Sequence, residues 1–317
     1  INPFIGQTLL TRINVPAVRA FEDTLRKEGR SPAMVKKVVG SLGSIFSEAQ
    51  ELALATVNPV RDRSAHRKGR DTKAEKRHKG RLKVGEDIPA REEVKALVGA
   101  LTGRWRPLLL VAIFAGLRSS ELRGLRWQDI DVDKREIHVR QRADEFGAIG
   151  SPKSVAGERT VPVPPLVINA LKEWKLGYSR PVIGRDAEGK PVREDARPSH
   201  LVFANGVGKV ESHANIINRG LVPAMLTAGV LLKTEEKDKD GNPIMAAKYT
   251  GLHALRHFYA SWLINRPQDG GLGLPLKVVQ ERMGHSSITM TADVYGHLFP
   301  RGDDADEMAA AEAALLS

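Results

Sequence analysis

The sequence predicts a mainly α-helical protein with a small antiparallel β-sheet, divided into two folded units. Three observations carry this. Apolar residues recur at helical intervals over most of the chain, two short stretches alternate like strands, and a basic stretch poor in apolar side chains separates the first sixty residues from the rest.

The elements follow in order. Val15, Val18, Phe21 and Leu25 predict a helix over Val15 to Lys27. Ser31-Pro32 is a helix start, serine as cap and proline in the first turn, and Met34, Val38, Val39, Leu42, Ile45 and Phe46 continue it until Asn58-Pro59 stops it. Residues 1–60 are thus a small helical unit. Residues 61–85 are a linker, read as extended: Arg61 to Lys83 holds eleven Lys/Arg against Asp62, Asp71 and Glu75, a net +8. Residues 86–300 form the second unit. Its helices are Arg91 to Leu101, Pro107 to Leu125 (interrupted at Gly116), Leu166 to Leu176, Ser212 to Ala228, Leu252 to Asn265 and Leu276 to Met283, and its strands are Glu136 to Arg142 and Arg159 to Pro164. Residues 178–200 and 233–247, rich in Pro, Gly and charge, are read as surface insertions. Residues 301–317 are a tail with strong helix formers and an apolar side.

Composition narrows the function. The chain of 317 residues carries a net charge of +11 and a pI near 9.8, a balance suited to phosphate polymers or anionic membranes. The longest apolar run, Pro107 to Gly116, is about half of the roughly 20 residues a membrane span needs. Cysteine is absent, which excludes disulfides, cysteine nucleophiles and thiolate metal sites in this chain and fits a reducing cytoplasm. No signal peptide opens the sequence, and its first residue is Ile rather than Met, so we read it as a fragment or as a chain whose numbering has been trimmed.

Four separated segments hold the chemistry: Arg118 within Ala115 to Leu122, Lys153 ahead of the strand at Arg159, His253 and Arg256 within His253-Ala254-Leu255-Arg256-His257, and His285 after Gly284, followed ten residues later by Tyr295. Taken singly, each has a plainer reading. Arg118 can pair with Glu121 one helical turn on, Lys153 can be a solvated turn lysine, His253 and Arg256 can be a structural pair, His285 can cap a helix end and Tyr295 can be a core aromatic. His253 and His257 also have the i, i+4 spacing of helical zinc ligands, but Ala254 stands where a metalloprotease places its glutamate. Together the residues make a set for phosphodiester cleavage. Two arginines can hold non-bridging oxygens, histidines can donate hydrogen bonds or move protons, a lysine can protonate a leaving alkoxide, and a tyrosine, with a reference pKa of about 10, can attack if a cationic site assists it.

In order and spacing these segments resemble the tyrosine recombinase (phage integrase) family. Ala115-Gly116-Leu117-Arg118-Ser119-Ser120-Glu121-Leu122 is similar to its first arginine box, His253-Ala254-Leu255-Arg256 to its His-x-x-Arg box, and Met283-Gly284-His285-Ser286 to its Leu-Gly-His-Ser box with Met for Leu. Tyr295 stands where the family carries its nucleophile, and Lys153 where it carries its hairpin lysine. The resemblance implies a helical core-binding domain at 1–60, a mixed α/β catalytic domain at 86–300, and a C-terminal tail that either packs on its own domain or docks on the next protomer. It implies that Tyr295 forms a 3′-phosphotyrosyl link and frees a 5′-hydroxyl, that Arg118 and Arg256 clamp the phosphate, that His285 hydrogen-bonds it, that Lys153 is the general acid, and that His253 assists proton transfer near Tyr295. Glu121 is expected to support the arginine box, and His257 is read as structural. No metal, ATP or other cofactor is implied. The implied partners are duplex DNA with specific recombination sites, three further copies in a tetramer, and accessory directionality or DNA-bending proteins, in a bacterial cytoplasm with no membrane contact. Arg30, Lys36 and Lys37 are candidates for base reading or simply solvated charges. The biological role implied is an integrase of a phage or other mobile element. Alternatives are a chromosome-dimer resolvase, a transposon recombinase, or an inactive DNA-binding protein on the same fold.

Overall fold

A computed structural model describes residues 1–65, 81–178, 182–185, 188, 191–193, 200–300 and 304–316. The chain divides into two compact units, Ile1–Lys79 and Gly80–Ser317. Most of the stretch read as a linker, 66–80, lies outside the described residues, as does much of the 178–200 insertion.

The first unit contains α1 (Asn2–Ile5), α2 (Val15–Lys27), α3 (Pro32–Glu51) and α4 (Pro59–Ala65). Asn14 caps α2 by accepting the Ala17 N–H at 3.0 Å, and Ser31 caps α3 by accepting from Met34 at 3.3 Å. Val18, Phe21 and Leu25 of α2 meet Val35, Val39, Leu42 and Phe46 of α3 in one buried cluster. The second helix ends earlier than its apolar pattern indicated, at Glu51, and Ala53 turns with φ 57°. Pro59 begins a new helix instead of merely ending the old one. The buried Asn58 is the reason: its amide donates to the Gly43 carbonyl at 2.9 Å, while its side-chain oxygen accepts from Val60 and Arg61. The first residues of the expected extended linker, through Ala65, are therefore helical.

The second unit is built around α6 (Trp105–Ala115). Leu108 to Ile113 are all buried, so this helix is covered on every side. It packs against α8 (Pro165–Tyr178) and α10 (Leu252–Ile264). The unit also contains α5 (Arg91–Ala100), α7 (Ser119–Gly124), α9 (Val222–Thr227), α11 (Leu276–Met283), α12 (Ile288–Tyr295) and α13 (Asp304–Leu316). The predicted helix across 212–228 is interrupted by a π-helical segment, Ile216–Leu221, directly before Pro223. Proline has no N–H to donate and its ring crowds the preceding turn, which widens it.

A three-stranded antiparallel sheet runs in the order β1 (Ile130–Asp131), β2 (Glu136–Val139), β5 (Arg159–Pro162), with Ile137 opposite Val161. The longer predicted strand breaks after Val139. Arg142–Ala143 (β3) pairs instead with Ile149–Gly150 (β4), forming the hairpin ahead of Lys153. The described parts of the insertions are also hairpins: Val182–Arg185 (β6) with Pro191–Arg193 (β7), and Leu231–Lys237 (β8) with Pro243–Ala247 (β9). Met308, Leu315 and Leu316 of α13 are exposed. Among the described residues no helix is long and apolar enough to cross a membrane.

Candidate active site

The first arginine is placed by a glycine. Gly116 ends α6 in the left-handed region at φ 57°, and a Cβ there would lie 2.2 Å from the Tyr259 ring. The chain thereby turns, and Arg118 becomes the residue before α7. Glu121, in the first turn of α7, accepts the Arg118 backbone N–H at 2.9 Å and its guanidinium at 2.7 Å. From β5, Arg159 reaches the same carboxylate with both terminal nitrogens, at 3.2 and 2.9 Å. Glu121 is only 3% exposed, and these four bonds saturate it. Burial alone would raise its pKa, but Arg159 and Arg118 outweigh burial and hold it down to about 2.

The third wall is the end of α11. Gly284 caps it with φ 63°, and its carbonyl accepts from Arg118 Nη2 at 2.8 Å. Arg159 Nε donates to the neighbouring Arg282 carbonyl at 2.8 Å. A Cβ on Gly284 would stand 2.8 Å from Arg159 Nη1 and 3.0 Å from the Ala156 carbonyl oxygen, so the cage closes only around a glycine. Arg256, on α10, is 2% exposed and donates to the carbonyls of Gly116 and Met283. Its burial, with Arg118 and Arg159 nearby, lowers its pKa to about 10, so it stays a cation at neutral pH.

Tyr295 closes α12 and is 2% exposed, so the phenol is covered in the DNA-free chain. Its ring lies parallel to that of His285, at 6.2 Å between centroids. His285 is oriented by the buried Thr291, whose hydroxyl is 2.9 Å from Nδ1. Burial lowers the His285 pKa to about 4, with Arg256 and Arg118 adding to the effect, and the ring is neutral at pH 7. For Tyr295 burial acts the other way: it pushes the phenol up to about 12, against the pull of Arg256 and Arg118. The cationic surroundings do not by themselves make an activated nucleophile.

The phenol's hydrogen-bond partner is His257. Its Nδ1 lies 2.7 Å from the Tyr295 hydroxyl. His253, expected beside Tyr295, instead meets the His257 ring edge-on, with centroids 4.4 Å apart. Partial enclosure and the charges of Arg256 and Arg118 lower the His253 pKa.

Arg118, His253, Arg256, His285 and Tyr295 are thus brought into one cluster. Lys153 is not joined to it. It is exposed in the loop between β4 and the turn Val155–Gly157, and among the described residues it makes no hydrogen bond or ion pair. Sequence reasoning missed Arg159, Thr291 and the contact of His257 with the phenol. Arg159 had been seen only as the start of a strand. Arg30, Lys36 and Lys37 are exposed, Arg30 beside Glu28 at 3.7 Å.

Residues 90–301 match the phage integrase family. A XerC-like tyrosine recombinase of Caldanaerobacter subterraneus subsp. tengcongensis is 29% identical over 299 residues, covering 90% of this chain and 67% of the relative. Prophage integrase IntR of Escherichia coli K12 is 26% identical over 276 residues, 85% of this chain and 58% of the relative, so the chain spans little more than half of that protein. The ICEBs1 integrase of Bacillus subtilis is 25% identical over 307 residues, 95% of this chain and 71% of the relative. Among solved structures, a Tn1549 transposon integrase in complex with transposon right end DNA superposes with a TM-score of 0.62 at 19% identity, covering 96% of this chain and 86% of that one. A lambda integrase dimer bound to a core site gives 0.52 at 18% identity, covering 90% and 80%. At these identities the structures establish a shared fold. The chain belongs to the phage integrase family of tyrosine recombinases, enzymes that cleave and rejoin DNA through a tyrosine intermediate.

Proposed function

We propose that this chain is the site-specific recombinase of a phage or other mobile element, and that Tyr295 is its nucleophile. The supporting observation is the placement of a buried phenol against His285 and within the field of Arg118 and Arg256. In this reading the Tyr295 oxygen attacks a scissile phosphate, forming a 3′-phosphotyrosyl bond and releasing a 5′-oxygen. Arg118 and Arg256 stabilise the charge that grows on the non-bridging oxygens. With its Nδ1 engaged by Thr291, His285 has Nε2 left to donate to the same phosphate. Lys153, unpaired and on an exposed loop, delivers the proton to the leaving 5′-oxygen. Glu121 and Arg159 hold Arg118 in place. Because the phenol is covered in the DNA-free chain, the reading requires DNA binding to uncover it.

The partner is duplex DNA carrying recombination sites. Residues 1–60 act as a core-binding unit, the basic stretch at 61–85 contacts backbone phosphates, and residues 86–300 are the catalytic domain. The exposed apolar side chains of α13 favour docking of the tail on a neighbouring protomer of a tetramer. Accessory directionality or DNA-bending proteins, and a bacterial cytoplasmic location, belong to the same reading. The hairpin insertion at 231–247 favours a mobile-element role over chromosome-dimer resolution.

The test is a nicked suicide substrate on a denaturing gel. Tyr295→Phe is expected to bind DNA and form no covalent adduct; an adduct that persists in this variant would sink the assignment.

A further inference from the structure

We propose that His257 is the base that takes the phenolic proton from Tyr295 as the nucleophile attacks, with His253 as its positioning residue. This rests on the reading of Tyr295 as nucleophile and deepens it.

The need comes first. A phenol pushed up to about 12 is ionised in roughly one molecule in 100,000 at pH 7. Attack therefore depends on a proton acceptor within hydrogen-bond reach of the phenolic oxygen. His257 Nδ1, at 2.7 Å, meets that condition. Its neighbours do not. The guanidinium groups of Arg118 and Arg256 have no lone pair to offer. The His285 ring is stacked parallel to the phenol ring, 3° between planes, and its Nδ1 is taken by Thr291. His253 touches the edge of His257 rather than the hydroxyl.

The charge state fits the task. His253 and Arg256 face His257 from its own helix, Tyr295 from α12, and Asp87 from the turn before α5. Burial, His253 and Arg256 depress the pKa to about 4, against a smaller opposing effect of Asp87. The imidazole is therefore neutral at pH 7, and in the tautomer that carries the ring proton on Nε2 its Nδ1 accepts from the phenol. A weak base in the empty site becomes a stronger one when a phosphate anion offsets the surrounding positive charge, which is when the proton must move.

The step balances. The Tyr295 oxygen–phosphorus bond forms, the bond from phosphorus to the 5′-oxygen breaks, the phenolic proton passes to His257 Nδ1, and the leaving 5′-oxygen takes a proton from Lys153. In religation the incoming 5′-hydroxyl gives its proton back to Lys153, and His257 returns its own to the departing phenolate.

The experiment measures covalent adduct formation on a nicked duplex carrying the attachment site, from pH 6 to 10. His257→Ala is expected to bind DNA like the unaltered chain and to form adduct about 100- to 10,000-fold more slowly at pH 7. The deficit should narrow as rising pH ionises the phenol, and added imidazole should restore part of the rate. A substrate with sulfur in place of the bridging 5′-oxygen, which needs no proton to leave, should rescue Lys153→Ala but not His257→Ala. The proposal is overturned if His257→Ala reacts at the unaltered rate, if its deficit is the same at every pH, or if the sulfur substrate rescues it. Should that variant fail to bind DNA, His257→Gln replaces it with the same readouts. Tyr295→Phe run in parallel separates the two ideas: adduct in that variant overturns the nucleophile assignment itself, whereas its silence beside a fully active His257→Ala overturns the role of His257 alone.

Discussion

The two sides of the candidate site are built differently. On the side proposed to hold the phosphate, Arg118 and Arg159 are fixed by one buried carboxylate, and both of them and Arg256 by the carbonyls at the ends of α6 and α11. On the proposed leaving-group side, Lys153 stands exposed on a loop and makes no hydrogen bond or ion pair among the described residues. The contrast follows from what each side has to do. Groups that stabilise developing charge act most strongly when oriented beforehand, while a proton donor on a flexible stem can be brought in by the DNA.

The largest effect is expected from Glu121→Ala, which leaves the buried Arg159 without its carboxylate. Losing one partner of such a pair costs roughly 3–5 kcal/mol, so the melting temperature should drop sharply and cleavage with it. A variant as stable as the parent would show that the cage is not held by Glu121. Next, Lys153→Ala should change unfolding by under about 0.5 kcal/mol, yet slow adduct formation about 100- to 10,000-fold. A comparable loss of stability in a denaturant titration would mean that the loop is as built as the cage.

The most graded effect is with pH. His257 and His285 titrate at about 4 in the folded chain against an ordinary 6.5, so the unfolded chain binds protons first. Their contribution to stability is complete above pH 6.5 and declines as pH falls toward 4. Glu121, held at about 2 against an ordinary 4.5, contributes fully above 4.5 and loses its effect as pH falls toward 2. Both act in one direction, so urea unfolding at stepped pH should show stability falling steadily from pH 6.5 downward. A profile level between 6.5 and 4 would contradict the buried, neutral histidines.

Much of the fold was legible in the sequence, because helical periodicity and capping residues are local signals. Gly116 and Ser31 marked their helix boundaries correctly. The hairpin Leu231–Lys237 with Pro243–Ala247 was not legible, since its strands are mostly exposed and carry no clean alternation of apolar and polar residues. The helix Ile288–Tyr295 was missed as well, although Ser287 caps it through Met290. In the site, the residues that announce themselves do so through boxes of neighbouring letters. Arg159 has no box: its contacts with Glu121 and Arg282 span 38 and 123 positions along the chain. His257 sits inside a box, but its meaning depends on a tyrosine 38 residues further on.

The charge of Arg256 is buried against backbone carbonyls, which orient a guanidinium without neutralising it. Arg118 and Arg159 share the Glu121 carboxylate, and Arg256 beside them has no carboxylate bonded to it among the described residues, so the cluster holds more positive charge than negative. Under the proposed function, a DNA phosphate would supply the negative charge that balances this cluster.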